Sequence, residues 1–169
     1  MGLFHDFNYN RPYYIHLVPV ITSTATLVFS FTDCVLLRSL LNPSVPLSSV
    51  PSIWSSYIAV GNTPTGIIRS YFFGGGASVI SGLICSWSIR RTTGPAKGLY
   101  VCGVVFSLLH LVFLPRATKL TRKIIKGPTE EAKHDVNALL EVQSTRRQLA
   151  DLPAMMCFTL GFAKLCRLR

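Results

Sequence analysis

"STRRQLADLP", residues 144–153, closes a polar, helix-compatible segment and runs straight into the apolar stretch "AMMCFTLGFAKL", residues 154–165. Charge gives way to hydrocarbon within about one turn. Two arginines and an aspartate at such a threshold have two readings. They mark the water boundary, or they belong to a reaction site just inside it. The rest of the chain decides between them.

The 169 residues are 49% hydrophobic and only 14% charged, against about 25% charged in soluble domains. Mean hydropathy is +0.41. The apolar residues gather in four blocks: Tyr14–Leu41, Ile67–Ile89, Gly98–Leu114 and Leu152–Leu165. The first two are long enough for a helix across ~30 Å of hydrocarbon, which takes ~20 residues. The other two are short alone, but each adjoins a helix-compatible segment that extends it. The expected fold is therefore all-α: a four-helix transmembrane bundle with a Pro-rich surface loop and an amphipathic helix before the last span. Residues 1–169 are read as a single integral membrane domain, a multi-pass protein.

A net charge of +10 lies between the apolar blocks, as loop charge does in membrane proteins. It forms no soluble basic patch or recognition helix, so nucleic acid is not an expected partner. The opening "MGLFHDFNYNRPYY" lacks the basic region and cleavage site of a signal peptide, so the first span is expected to be retained. The five cysteines form no C-x-x-C pair, and the four histidines show no metal-ligand spacing. Packing is the expected role of the cysteines, and neither a metal nor another cofactor is expected.

The first span is followed by "LNPSVPLSSVPS", residues 41–52, too rich in Pro and Ser for a regular element. In "IWSSYIAVG", residues 53–61, Trp54 and Tyr57 are spaced as aromatic anchors of a short interfacial helix. Gly74, Ser78 and Gly82 recur every four residues in the second span, a small-residue row that lets another helix approach closely. The third span is expected to continue through "RATKLTRKIIK", residues 116–126, and to stop at Gly127 and Pro128. A further helix then runs through Leu149 and, with an adjustment at Pro153, into the last span.

On a wheel of ~100° per residue, Ala132, Val136, Leu139, Val142, Leu149 and Ala150 form one apolar stripe. Arg146 falls inside it, pointing toward other helices, where an arginine needs an acid, a carbonyl or a ligand. Arg147 lies at the margin, four residues before Asp151, and is expected to pair with it. With alternating spans, one face of the bundle collects Asp33, Arg38, Trp54, Tyr57, Arg69, His110, Arg116, Arg146 and Asp151. The densely basic segment from Arg116 to Arg147 assigns this face to the cytoplasm. Asp33, in "FSFTDCVLL", is the one acidic residue inside an apolar block, which makes it a functional-site hypothesis. Its structural alternative is a buried pair with Arg38, Arg69 or Arg146. His110 is either a helix-to-helix hydrogen bonder or a participant in chemistry.

The sequence has no G-x-S-x-G elbow, no phosphate-cradling glycine loop and no H-E-x-x-H pair. Carboxylates, arginines and a histidine in a partly dry pocket suit general acid–base work on a lipophilic substrate. Asp33 and Asp151 are the expected acid and base, in either order, with Arg146 holding an oxyanion or tuning a carboxylate. Trp54, Tyr57, His110 and Arg69 are the expected substrate-binding residues.

"LLEVQSTRRQLADLPAMMCFTLGFA", residues 139–163, resembles the last segment of small fungal four-span membrane proteins of polyketide pathways: an Arg, then five residues on an Asp-Leu-Pro, then an apolar span. Arg146 and Asp151-Leu152-Pro153 carry that match. "FTDCVLL", the Pro-rich loop and "IWSSYIAVG" resemble the first half of the same group. This group includes epoxide hydrolases of the aurovertin and citreoviridin type, and more distantly anthrone oxygenase-like proteins. The sequence departs from the pattern at Leu140 or Glu141 and at Gln143, where the group carries Trp and His. The resemblance implies an epoxide hydrolase that opens or cyclises a lipophilic epoxide by acid–base catalysis, located in the endoplasmic reticulum. Its alternatives are cofactor-independent oxygenation of the anthrone oxygenase-like kind and a non-catalytic anchor or assembly role. The implied partners are a lipophilic small molecule, membrane lipid and other enzymes of the pathway.

Overall fold

A computed structural model describes residues 14–61, 75–89 and 94–167. The described chain is an all-α, largely hydrophobic bundle. Helix α1 spans Tyr14–Leu40. After the Pro-rich turn come α2, Val50–Gly61, and α3, Ala77–Ser88. Helix α4, Gly94–Lys126, and α5, Ala132–Arg146, follow. A π-helical turn, Arg147–Asp151, leads without a break into α6, Leu152–Arg167.

Among the described residues, three helical segments are long and apolar enough to cross a membrane: Tyr14–Leu40, Gly94–Lys126 and Thr129–Arg167. The remaining expected span, Ile67–Ile89, is not among them. Residues 62–74, which hold much of the second apolar block, lie outside the described residues, as does Gly74 of the small-residue row. What is described of that block, residues 75–89, includes the 12-residue helix α3. The amphipathic helix runs on into the last span, as expected. They form one 39-residue helical segment.

Polarity is arranged for a hydrocarbon surround. Val28, Phe31, Val35, Val105, Leu108, Val112, Met156 and Leu160 point outward at helical spacing, and Trp87 is 90% exposed. Facing inward on α1, by contrast, are Thr22, Ser23, Thr26 and Ser30, met by Ser78 of α3 and Ser107 of α4. Small hydroxylated residues let helices approach and bond across the interface. Ser78 Oγ donates to Thr22 Oγ1 at 3.0 Å. Pro19 inside α1 removes backbone N–H bonding near its own turn. The carbonyls there are taken instead by side chains: Cys85 Sγ lies 3.2 Å from Ile15 O, and Tyr100 Oη donates to His16 O at 2.9 Å.

Two apolar cores sit at opposite ends. One joins Cys85, Ile89, Tyr100, Val104, Ala154 and Phe158 within the apolar helices. Phe158 fits a notch made by glycines: a Cβ at Gly82 would lie 2.8 Å from its ring, and one at Gly103 would lie 2.7 Å from it. The other core joins Leu37, Leu40, Val50, Trp54, Ile124, Ala132, Val136 and Leu139. The Pro-rich segment that closes this end is an ordered series of turns. Asn42 Oδ1 accepts from Ser44 N at 3.0 Å, and Lys133 Nζ of α5 donates to Asn42 O at 2.9 Å.

Candidate active site

Between the two cores the chain changes character. On α4, His110 falls between Val104 of one core and Ile124 of the other. On the last helical segment, residues 146–151 fall between Leu139 and Ala154, and on α1 Asp33 precedes Leu37. Acidic, basic and aromatic side chains meet at this junction.

The π turn decides which arginine enters. In a regular α-helix, residues five apart lie ~140° from each other, whereas residues four apart lie ~40° apart. That arithmetic favours Arg147 as the partner of Asp151. In the structure the Leu152 N–H bonds to Arg147 O, an i→i+5 step, which brings positions five apart onto one side. Arg146 Nε donates to Asp151 Oδ2 at 3.3 Å, and His110 Nδ1 lies 3.0 Å from Asp151 Oδ1. Asp151 is 3% exposed, so both its oxygens are satisfied by these two side chains in a dry setting. Arg147, expected to pair with Asp151, instead sits 4.3 Å over the ring of Phe31. Pro153 supplies a local reason for the wide turn. It has no N–H for the carbonyl four residues back, and its ring crowds that carbonyl in a regular helix. The same turn shifts Leu149 out of the expected apolar stripe, to 56% exposure.

A second pair stands beside the first. Tyr57 of α2 donates from Oη to Asp33 Oδ1 at 2.5 Å. Among the described residues, neither Arg38 nor Arg146 makes a direct bond to Asp33; Arg69, the third expected alternative, lies outside them. Arg146, Asp151 and His110 are nonetheless within electrostatic range of Asp33. Trp54 stacks on Tyr57 with ring centroids 5.4 Å apart. It was expected as an interfacial anchor, yet it is 4% exposed and packed among Leu37, Leu40 and Ile124. A short amphipathic helix folded back onto the bundle buries its aromatic face against the nearest apolar core rather than in lipid.

Under the Arg146–Asp151–His110 cluster lies a small cavity of about 10 Å³, bordered by Ser23, Thr26, Ser78, Ser107, His110 and Asp151. That is room for about one water, with polar groups on several sides. These hydroxyls were not foreseen as site residues. Their signal was present: Thr22, Ser23, Thr26, Ser30 and Asp33 recur at helical spacing inside an apolar span. Three buried atoms near the site, Ser30 Oγ, Trp54 Nε1 and Gln143 Oε1, have no partner among the described residues. Among the described residues no group of three or more His, Cys, Asp and Glu is placed to hold a metal ion.

Comparison of the sequence with known proteins covers most of the chain. The chain is similar to fungal epoxidases. It is 27% identical over 154 residues to the probable epoxidase scpX of Mollisia scopiformis, covering 85% of this chain and 91% of that protein. It is 27% identical over 158 residues to the epoxidase gkaX of Penicillium citrinum, with coverage of 87% and 91%. To the epoxidase pydX of an Acremonium species it is 26% identical over 160 residues, with coverage of 89% and 93%. The relationship is distant and spans nearly the full length of each partner. No family model matches the chain, and no solved structure matches it.

These names correct the expected hydrolase. An epoxidase builds the three-membered ring by a two-electron oxidation; an epoxide hydrolase opens it with water and transfers no electrons. The oxidative naming of the relatives thus overturns the expectation of a hydrolase or epoxide hydrolase.

Proposed function

We propose that this chain is a membrane-embedded oxidoreductase that epoxidises a carbon–carbon double bond of a lipophilic, polyketide-type small molecule. The observation that carries the reading is the buried Arg146–Asp151–His110 cluster in a chain similar to epoxidases along 85% or more of its length. The three long apolar helices support a multi-pass integral protein, and the endoplasmic reticulum is the compartment we propose for it.

In the proposed reaction one atom of dioxygen bridges the two alkene carbons, and the other leaves as water. Two electrons from an external nicotinamide- or flavin-class reductant and two protons complete the balance. Asp151 and His110 pass protons to the departing oxygen. Arg146 offsets the negative charge that reduced oxygen carries before it is protonated, a stabilisation that is strongest where water is excluded. The Asp33–Tyr57 pair receives a polar group of the substrate, with Trp54 as the wall behind it. Arg69 is kept as a proposed substrate contact on the strength of its expected face alone.

The test is isotopic. Membranes containing the protein, supplied with reductant and a polyene substrate under ¹⁸O-labelled dioxygen, are expected to yield epoxide carrying one labelled oxygen. Label arriving from ¹⁸O-water instead of dioxygen, in a product lacking the epoxide ring, would overturn the oxidative reading.

A further inference from the structure

Beyond Leu114, helix α4 changes from apolar to basic without ending. Residues 116–126, "RATKLTRKIIK", hold Arg116, Lys119, Arg122, Lys123 and Lys126 and no acidic residue. Leu114, Pro115, Lys119, Arg122 and Lys126 border an open groove of about 680 Å³ on this part of the helix. From Pro115, the others on the C-terminal side recur at four, seven and eleven residues, so they share one face. The groove is thus graded: apolar where it leaves the membrane-spanning half of α4, cationic farther out.

Its neighbours leave that charge available. Asp135 of α5 is 4.0 Å from Lys123. Among the described residues, Lys119, Arg122 and Lys126 take part in no ion pair. Glu130 and Glu131 are exposed in the turn that follows Pro128. Depth also fits. At ~1.5 Å per residue Lys119 lies about 7 Å past Leu114, within the ~5–8 Å headgroup layer of one leaflet. The longer reach to Arg122 and Lys126 is covered by flexible side chains that extend back toward the interface.

We propose that this groove binds an anionic phospholipid, with the headgroup on Lys119, Arg122 and Lys126 and the first acyl segments against Leu114 and Pro115. Clustered Lys and Arg directly beyond a membrane helix attract anionic headgroups. The apolar end of the groove, continuous with the membrane-facing helix, selects a lipid over a soluble anion. The site is separate from the Asp151 cluster and does not depend on the reaction proposed above.

The test uses the full-length protein in nanodiscs of phosphatidylcholine and phosphatidylserine at a four-to-one ratio, with retained lipid read by native mass spectrometry. Wild-type protein is expected to retain phosphatidylserine well above its share of the bilayer. The Lys119→Gln/Arg122→Gln/Lys126→Gln variant is expected to lose that preference by about a hundredfold, at about fivefold for each charge. A charge-keeping Lys119→Arg/Lys126→Arg variant is expected to retain it. Inorganic phosphate added at millimolar concentration is expected to leave the retained lipid in place. Retention in simple proportion to the bilayer, or an enrichment that the Gln variant keeps, overturns the proposal; displacement by phosphate overturns the choice of a lipid.

Discussion

Arg146 and Asp151 are five residues apart on one helical segment, yet Arg146 Nε bonds Asp151 Oδ2 at 3.3 Å. The π turn between them is what allows it. Arg147, one residue closer, is turned to the lipid-facing ring of Phe31 at 4.3 Å. Adjacent arginines thus have unequal weight. Arg146→Leu removes one partner of a buried ion pair and is expected to cost about 3–5 kcal/mol. Arg147→Leu loses a cation–π contact worth about 0.5–1 kcal/mol at an exposed site. Unfolding of the two variants in mixed micelles measures the difference, and equal losses would refute the assignment.

Asp151→Asn keeps the shape of the side chain while removing its charge and its capacity to hold a proton for transfer. Under the proposed chemistry, turnover is expected to fall by about 10²–10⁴-fold, the usual contribution of a positioned acid–base group. Insertion into membranes should persist. The check is epoxide yield per unit of inserted protein.

Tyr57→Phe removes the hydroxyl that holds Asp33 and leaves the Trp54 stack in place. The stability cost is expected at about 1–3 kcal/mol, from a carboxylate deprived of its donor. If this pair receives the substrate's polar group, the apparent KM for a hydroxylated or carbonyl-bearing polyene rises more than that for a hydrocarbon polyene. Equal changes for both substrates would mean that the pair is structural.

The notch around Phe158 predicts intolerance of the smallest enlargement. Gly103→Ala places a Cβ 2.7 Å from a ring that is fully enclosed, so the ring or the helix has to shift. Overpacking of this kind costs about 1–3 kcal/mol. Phe158→Leu in the Gly103→Ala background is expected to recover part of the loss. Thermal unfolding of the single and double variants measures this coupling.

The convergence of the site was legible because alternating spans bring the end of α1, the middle of α4 and the start of α6 to one level. That alternation places Asp33, His110, Arg146 and Asp151 toward the same region from the sequence. The finer pairing was not legible. A wheel assumes a constant angle per residue, and the π turn inserts a phase shift of ~100° at the point where the angle mattered. Arg146 was read as inward-facing, but Arg147 was assigned its partner.

Local composition determined the all-α character, the apolar lengths and the presence of one carboxylate inside the first span, because hydrocarbon demands continuous helix and makes every buried charge conspicuous. Tertiary structure alone decided that Tyr57, 24 residues downstream, donates a hydrogen bond to Asp33. It also decided that Trp54 fills a core and that hydroxyls from α1, α3 and α4 surround one small cavity. Periodicity encodes which face of a helix is buried. It carries no record of which distant side chain will be waiting there.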